Sequence, residues 1–81
     1  MEKEKVVALA FGKVLRAQRV NASLSQEVLG IRAGLGRKYI GNLELGRHVP
    51  SMITVAKLAV ALGVPVGALM ILIEDELQRL S

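Results

Sequence analysis

The sequence of 81 residues is short, aliphatic and basic, and these properties exclude several classes of protein. Its length predicts one domain over residues 1–81. Because the sequence has no cysteine, neither a disulfide nor a thiolate metal site can form. Hydrophobic residues make up 52% of the chain, yet Phe11 and Tyr39 are its only aromatic side chains, so the core must be aliphatic. A domain this small cannot bury so much apolar surface, and the excess predicts a self-association surface.

Charge is distributed unevenly along the chain. The formal net charge is +4, but residues 5–57 carry nine basic and only two acidic side chains. From residue 58 onward, Glu74, Asp75 and Glu76 are opposed by Arg79 alone. A basic body with an acidic end is typical of a protein that binds a polyanion through one part. We expect nucleic acid to be that polyanion; an unevenly charged, solvated surface is the alternative.

Five helices are predicted, because short breaks containing Gly, Pro, Asn or Ser separate stretches of helical periodicity. The first helix spans about residues 4–20. Its predicted inward side chains are Val7, Phe11, Val14, Leu15 and Gln18. The second begins after Ser25, a favoured N-cap residue, and ends at Gly34, which suits a left-handed stop. Its predicted inward side chains are Val28, Leu29 and Ala33.

The third and fourth helices are also bounded by capping and stop signals. The third covers about residues 37–45, ends at Gly46, and turns Ile40 and Leu43 toward the core. The fourth is capped by Ser51, extends to residue 62 and stops at Gly63. Its predicted inward side chains are Val55, Leu58, Ala59 and Leu62.

The fifth helix begins near Pro65, can extend to residue 80, and carries more apolar residues than one core requires. One stripe, at steps of three and four, consists of Val66, Leu69, Met70, Ile73, Leu77 and Leu80. Ile71 and Leu72 lie off that stripe, so the first half of the helix needs cover on two sides. One side can be the chain's own core and the other a second copy, which makes residues 66–80 the predicted dimer interface. A flexible tail is the alternative.

The sequence predicts neither a membrane span nor a signal peptide. The longest apolar run, residues 58–73, is interrupted by Gly63, Pro65 and Gly67, and a span needs about 20 uninterrupted apolar residues. The first residues carry charges of both signs, unlike a signal peptide. We therefore expect a cytoplasmic protein with no membrane partner.

Residues 24–46 contain two short predicted helices joined by a tight turn, as a helix-turn-helix requires. Gly34 lies in the turn. Gly30 lies where the following helix must cross closely, so a large side chain there would push the two helices apart.

A longer ordered set of residues carries a family resemblance. It consists of Phe11-Gly12, Arg16, Arg19, Leu24-Ser25-Gln26-Glu27, Leu29, Gly34-Leu35, Tyr39-Ile40, Leu43-Glu44, Gly46-Arg47, Pro50-Ser51, Leu58-Ala59, Ala61-Leu62-Gly63-Val64 and Leu69. At this spacing, residues 11–69 resemble the phage-repressor and Cro type of helix-turn-helix domain, also called the xenobiotic-response-element (XRE) family. The resemblance implies an all-α, five-helix, lambda-repressor-like fold whose third helix enters the major groove of DNA. It also implies a homodimer on a palindromic operator, acting in transcription as a repressor and associated with a bacterial or phage-infected nucleoid.

The same resemblance implies roles for individual residues. Gln26 would contact a phosphate or orient a base-reading side chain, and Arg37, Lys38 and Asn42 would face the groove. Tyr39 would reach the sugar-phosphate edge, and Arg47 and His48 would touch the flanking backbone. Arg19 and Glu44 would form an ion pair that ties the first helix to the end of the third.

Side-chain chemistry agrees with these roles. Arginine binds guanine O6 and N7 bidentately, which suits Arg37, and asparagine can pair with adenine N6 and N7, which suits Asn42. Arg16 and Arg47, and also Lys13 and Lys57, can neutralise phosphates without reading sequence. A solvated basic side chain is the alternative for each.

Two glycines depart from the family pattern. Gly36 stands where the family usually has a Ser or Thr N-cap, although glycine at an N-cap costs only a few tenths of a kcal/mol. Gly41, inside the third helix, weakens it by about 1 kcal/mol relative to alanine. It either lets the backbone approach DNA closely or leaves the helix loose until DNA orders it.

An enzyme is not expected, because the one histidine, His48, has no acid within three positions, and no nucleophile set, phosphate loop or metal-ligand cluster is present. We expect no cofactor and no metal. The competing class is a protein-interaction adaptor, or an antitoxin that grips a toxin with the fifth helix. The short chain also resembles restriction–modification controller proteins, which predicts control by dimer concentration without a small-molecule ligand.

Overall fold

The computed structural model describes residues 2–81, and within them five helices and no strand. The helices are α1 (Lys3–Asn21), α2 (Gln26–Ala33), α3 (Arg37–Glu44), α4 (Met52–Leu62) and α5 (Val66–Leu80). The predicted all-α fold and the number of helices are therefore confirmed, and each predicted boundary agrees to within one residue.

The helix ends follow from local chemistry. The Ser25 hydroxyl accepts a hydrogen bond from the Val28 N–H at 3.0 Å, and Ser51 accepts one from Thr54 N–H at 3.1 Å. Both α2 and α4 stop at a glycine in the left-handed conformation, with φ of 70° at Gly34. A side chain at that φ would strain the backbone, so these stops depend on glycine.

The core is aliphatic apart from Phe11, as the composition requires. In the packing, α1 contacts α3 and α5, α2 contacts α3 and α4, and α4 contacts α5. The buried apolar residues are Ala8, Ala10, Phe11, Val14, Leu15, Leu29, Ala33, Ile40, Leu43, Val55, Leu58, Ala59, Leu69 and Ile73. Most of the predicted inward side chains belong to this set, while Gln18 and Leu62 are half-buried.

The inward prediction was wrong for Val7 and Val28, which are exposed. The buried side of α1 also includes small residues, and at Gly12 its backbone lies directly against the end of α3. A Cβ added to Gly12 would lie 2.5 Å from the Leu43 carbonyl oxygen and 2.7 Å from that of Glu44. The predicted stripe of α1 is otherwise correct, since Phe11, Val14 and Leu15 are buried, and only Val7 is replaced in the core by its neighbour Ala8.

Within residues 2–81, no single helix is long and apolar enough to cross a membrane. Together, α4 and α5 reach the required length and apolarity, but the chain bends by 110° where they meet.

Candidate nucleic-acid interface

Helix α3 is fixed by its inner side and exposes its first turn. Ile40 and Leu43 are completely buried, whereas Arg37 and Lys38 are exposed. The turn before α3 is tight, since a Cβ at Gly30 would lie 2.6 Å from the Leu35 carbonyl oxygen. The need for glycine at position 30 is therefore confirmed, although the obstacle is the backbone of the turn rather than the body of α3. The result is a short helix with a basic outward edge on a rigid support.

The start of α3 carries no side-chain cap. Gly36 occupies the N-cap position with an extended backbone, and no side chain accepts a hydrogen bond from the first turn there. The departure from the family pattern thus leaves backbone N–H groups available beside Arg37 and Lys38. Such groups favour an anion at a helix N-terminus.

The predicted pair of Arg19 and Glu44 is formed and nearly buried. Arg19 donates to Glu44 through Nε at 2.5 Å and through Nη2 at 3.0 Å, and a third bond runs from Nη1 to the Leu24 carbonyl oxygen at 2.9 Å. The side chains are only 13% and 4% exposed. Hydrogen bonding to the Glu44 carboxylate raises the pKa of Arg19, although burial acts in the opposite direction. This pair and the bond to Leu24 connect α1, the turn before α2 and the end of α3.

Gln26 belongs to the same network. Its Nε2 donates to Glu44 Oε1 at 3.1 Å, and its amide lies over Gly41, where an added Cβ would be 3.6 Å from Gln26 Oε1. This hydrogen bond directs one N–H of the Gln26 amide toward Glu44. The orientation of Gln26 is therefore set by an acid on the neighbouring helix, a contact that the sequence did not predict.

Asn42 and Arg47 are connected twice. Gly46 adopts a φ of +74°, and the chain turns back so that the Arg47 N–H donates to the Asn42 carbonyl oxygen at 3.0 Å. The Arg47 guanidinium then donates through Nη1 to Asn42 Oδ1 at 3.1 Å. Gly46 was a sequence signal for the backbone bond, because a glycine that ends a helix commonly brings the following residue back onto the last turn.

Tyr39 and His48 also come together. Their ring centroids are 5.8 Å apart, with the planes tilted by 30°. Tyr39 is half-buried and His48 is exposed. The loop after α3 is thus packed onto α3 through a second contact besides that of Arg47.

The other predicted basic residues divide between two surfaces. Lys13 and Arg16 line an open groove of about 820 Å³ between α1 and α3, whose floor includes Gln26 and Gly41. Lys57 lies instead beside Arg32 in a separate groove between α2 and α4. Arg16 therefore adjoins α3, and Lys57 lies apart from the side chains gathered around that helix.

The residues predicted for the dimer interface also divide. Leu69 and Ile73 belong to the chain's own core, and Val66, Leu77 and Leu80 are half-buried against it. Of the predicted stripe only Met70 is exposed, next to Ile71 and Leu72. The prediction is corrected accordingly: the inner residues of α5 hold it on the core, and the exposed large apolar side chains of this helix are Met70, Ile71 and Leu72.

No group of three or more His, Cys, Asp or Glu side chains within residues 2–81 is arranged to hold a metal ion. The geometry described above is that of a helix-turn-helix: two short helices, a tight glycine-dependent turn, and a second helix with a polar, basic outer edge.

Comparisons with known proteins agree with this geometry. Residues 10–70 match a family model described as a helix-turn-helix domain. The chain is 38% identical over 64 residues to the uncharacterized HTH-type transcriptional regulator y4dJ of Sinorhizobium fredii, covering 79% of this chain and 78% of that protein. It is 34% identical over 61 residues to the immunity repressor protein of Bacillus phage phi105, covering 75% of this chain and 42% of the repressor.

Solved structures give the same result. The restriction-modification controller protein C.AhdI from Aeromonas hydrophila matches with a TM-score of 0.79 and 35% sequence identity, over 84% of this chain and 99% of that one. The clp gene regulator ClgR from C. glutamicum matches with a TM-score of 0.81 and 26% identity, over 85% and 90% of the two chains. The chain belongs to the helix-turn-helix family of DNA-binding transcriptional regulators, and it is not an enzyme.

Proposed function

We propose that this protein is a homodimeric, sequence-specific repressor of the phage-repressor and Cro type that inserts α3 into the major groove of a palindromic operator. The observation that carries the proposal is the outer edge of α3, where Arg37 and Lys38 are exposed while Ile40 and Leu43 are completely buried. The buried side chains hold the helix in place, so its basic side chains can face DNA while the core packing stays intact. Its first turn is the part that reaches base edges in helix-turn-helix proteins.

The side chains around α3 then divide into readers and positioning groups. Arg37 binds a guanine bidentately, and Lys38 and Asn42 contact neighbouring bases. Arg16, Tyr39, Arg47 and His48 contact the sugar-phosphate backbone, which sets the register of the protein without reading sequence. One N–H of the Gln26 amide donates to Glu44, and the second N–H of the same nitrogen donates to a phosphate at the start of α2.

The exposed apolar side chains of α5 support the proposal of a homodimer. Met70, Ile71 and Leu72 follow one another along the exposed part of a helix whose inner side is already packed on the core, with Ile71 pointing directly outward between the other two. Covering them with the same surface of a second copy gives a two-fold symmetric dimer, in which the two α3 helices read two equivalent half-sites.

One relative favours repression, and a second, of known structure, favours a bacterial setting. One is named an immunity repressor protein, from a Bacillus phage, and the similar C.AhdI is a restriction-modification controller protein. By analogy with them, we place this protein in the cytoplasm of a bacterium or phage-infected cell, on the nucleoid.

Selection of bound sequences from random duplex DNA tests the binding proposal. We expect two inverted half-sites whose centres lie about 34 Å apart, one turn of the duplex. Affinity for the selected site should fall steeply as salt is raised, because phosphate contacts release counterions. Recovery of no sequence preference at low salt would contradict the proposal.

Sedimentation analysis tests the dimer. Ile71→Lys introduces a charge at an isoleucine that is 61% exposed on α5, and we expect it to convert the dimer to monomers. Ile31→Lys is the matched control, because Ile31 is 75% exposed but lies on α2. A monomeric parent protein, or an Ile71→Lys variant that sediments as the parent does, would exclude this interface.

The same apolar surface also favours a second candidate, an adaptor or antitoxin that uses α5 to grip an unlike protein. The DNA selection separates the two, since an adaptor has no need for the basic edge of α3. A protein that bound no duplex and formed a complex of two unlike chains would support the adaptor.

A further inference from the structure

The double connection between Asn42 and Arg47 has a consequence for base recognition. The backbone bond at 3.0 Å fixes Arg47 above the last turn of α3, and the side-chain bond at 3.1 Å then brings its cation onto the Asn42 amide. Arginine has donors and no acceptor, so the amide atom that faces it must be the oxygen Oδ1. Asn42 therefore directs an occupied acceptor toward Arg47 and keeps its Nδ2 donors free.

That arrangement disfavours the base that asparagine usually reads. Bidentate recognition of adenine needs Nδ2 to donate to N7 and Oδ1 to accept from the N6 amino group. A guanidinium on Oδ1 already uses one of the two lone pairs of that oxygen, and its positive charge repels the positive edge of an incoming amino group. Guanine offers N7 in the same place, but its neighbouring group is the acceptor O6, which both Nδ2 and the guanidinium attract.

We propose that Arg47 is a specificity-determining residue, which by occupying Asn42 Oδ1 makes residue 42 select guanine in place of adenine. The inference rests on the proposed function, because it concerns the base that α3 reads. It does not compete with a phosphate contact by Arg47. The guanidinium has five N–H donors, of which Asn42 uses one, so the others can bind a phosphate at the same time.

The test is selection from random duplex DNA with four proteins: the parent, Asn42→Ala, Arg47→Met and the double variant. Asn42→Ala identifies the base pair, because preference is lost there. At that pair we expect the parent to favour guanine over adenine by about tenfold, the scale of one good base contact. Arg47→Met should move the preference toward adenine, and in the Asn42→Ala background the same change should have no effect on preference. Since Arg47 is exposed, its replacement leaves the core unchanged.

Arg16→Met is the matched control, because Arg16 is an exposed arginine beside α3 with no bond to Asn42. Loss of a phosphate contact weakens binding to all sequences alike, so this variant should keep the parent's preference. The inference is overturned if the parent selects adenine at the pair, if Arg47→Met leaves the preference unchanged, or if Asn42→Ala alters no base pair. A parent without any sequence preference overturns the proposed function itself, and is thus distinguishable from a failure of this inference alone.

Discussion

Helices α3 and α5 are packed on the core in the same way, but α3 exposes polar and basic side chains and α5 exposes apolar ones. Each buries two aliphatic side chains at a helical spacing, Ile40 and Leu43 in α3 and Leu69 and Ile73 in α5. Outside, α3 carries arginine, lysine and asparagine, whereas α5 carries Met70, Ile71 and Leu72. The inner residues therefore determine where a helix lies, and the outer residues determine which kind of partner it can meet.

The two helices differ in how tightly they are held. The end of α3 is fixed by a backbone contact at Gly12 and by the Arg19–Glu44 pair, both of which join it to α1. The charged contacts of α5 are longer, at 3.9 Å from Glu76 to Lys13 and to Arg79, and those two partners are well exposed. A helix that reads bases needs its position fixed closely, whereas a helix that forms an apolar interface can adjust to its twin. This difference in how firmly the two helices are held is tested by comparing each substitution in α3, or in a residue that contacts it, with a matched substitution in α5.

The largest effect is expected at Gly12. A Cβ there would overlap backbone carbonyl oxygens of α3, which cannot move without shifting the whole helix. We expect Gly12→Ala to lower the free energy of unfolding by about 3 kcal/mol. Urea denaturation followed by circular dichroism measures it. The control is Gly67→Ala in α5, where an added Cβ meets nothing within 4 Å and stability should not fall. Equal losses for both variants would contradict the close contact.

The ion pair gives the next largest effect. Glu44→Gln leaves Arg19 nearly buried without its carboxylate, and we expect a loss of about 2–3 kcal/mol in the free energy of unfolding. Glu76→Gln in α5 should cost less than about 0.5 kcal/mol, because its partners are exposed and screened. Thermal and urea unfolding of the two variants give the comparison, and a Glu76→Gln loss as large as that of Glu44→Gln would contradict it.

The sign of the pH dependence follows from the raised pKa of Arg19. A group whose folded-state pKa lies above its unfolded value stabilises the protein fully below the unfolded value and loses that contribution as the pH rises through the folded one. The stabilisation by Arg19 should therefore persist through the neutral range and disappear only in strong alkali.

Recognition should depend on Arg37 and not on the basic residue of α5. Arg37→Ala should reduce discrimination at one base pair of each half-site by about 1–3 kcal/mol, because a bidentate guanine contact is lost. Arg79→Ala should leave the preference unchanged, since Arg79 lies at the end of α5, away from α3, and pairs with Glu76 in the same helix. Competition binding with single-base operator variants measures both. An Arg37→Ala variant with the parent's preference would remove Arg37 from the base-reading residues.

The smallest effect is expected at Gly41. An added Cβ would lie 3.6 Å from the Gln26 amide, an ordinary contact, so Gly41→Ala should stabilise the protein by about 1 kcal/mol through helix propensity. Because the Gln26 side chain already covers this position, duplex affinity should stay within about twofold of the parent. A lower melting temperature would show strain, and a large loss of affinity would indicate that the DNA backbone approaches Gly41 directly.

Much of this fold could be predicted from the sequence because the signals are local. Ser25 and Ser51 cap the next turn, and Gly34, Gly46 and Gly63 stop helices through their own backbone freedom. Such signals act within four or five residues, so the helix ends are encoded where they occur. The Arg19–Glu44 pair, 25 residues apart, was predicted only through the family resemblance.

Other features arose only when the helices packed. The burial of Ala8 on α1 in place of Val7, the rotation of Gln26 toward Glu44, and the division of α5 into core and exposed residues all depend on distances between helices. When a helix has apolar residues on all sides, its sequence does not show which side will be buried against the core of the same chain. The sequence by itself therefore determined the helices, their ends and the basic character of α3. Tertiary structure decided which side chains remain available to DNA or to a second chain, because availability depends on what the neighbouring helices cover.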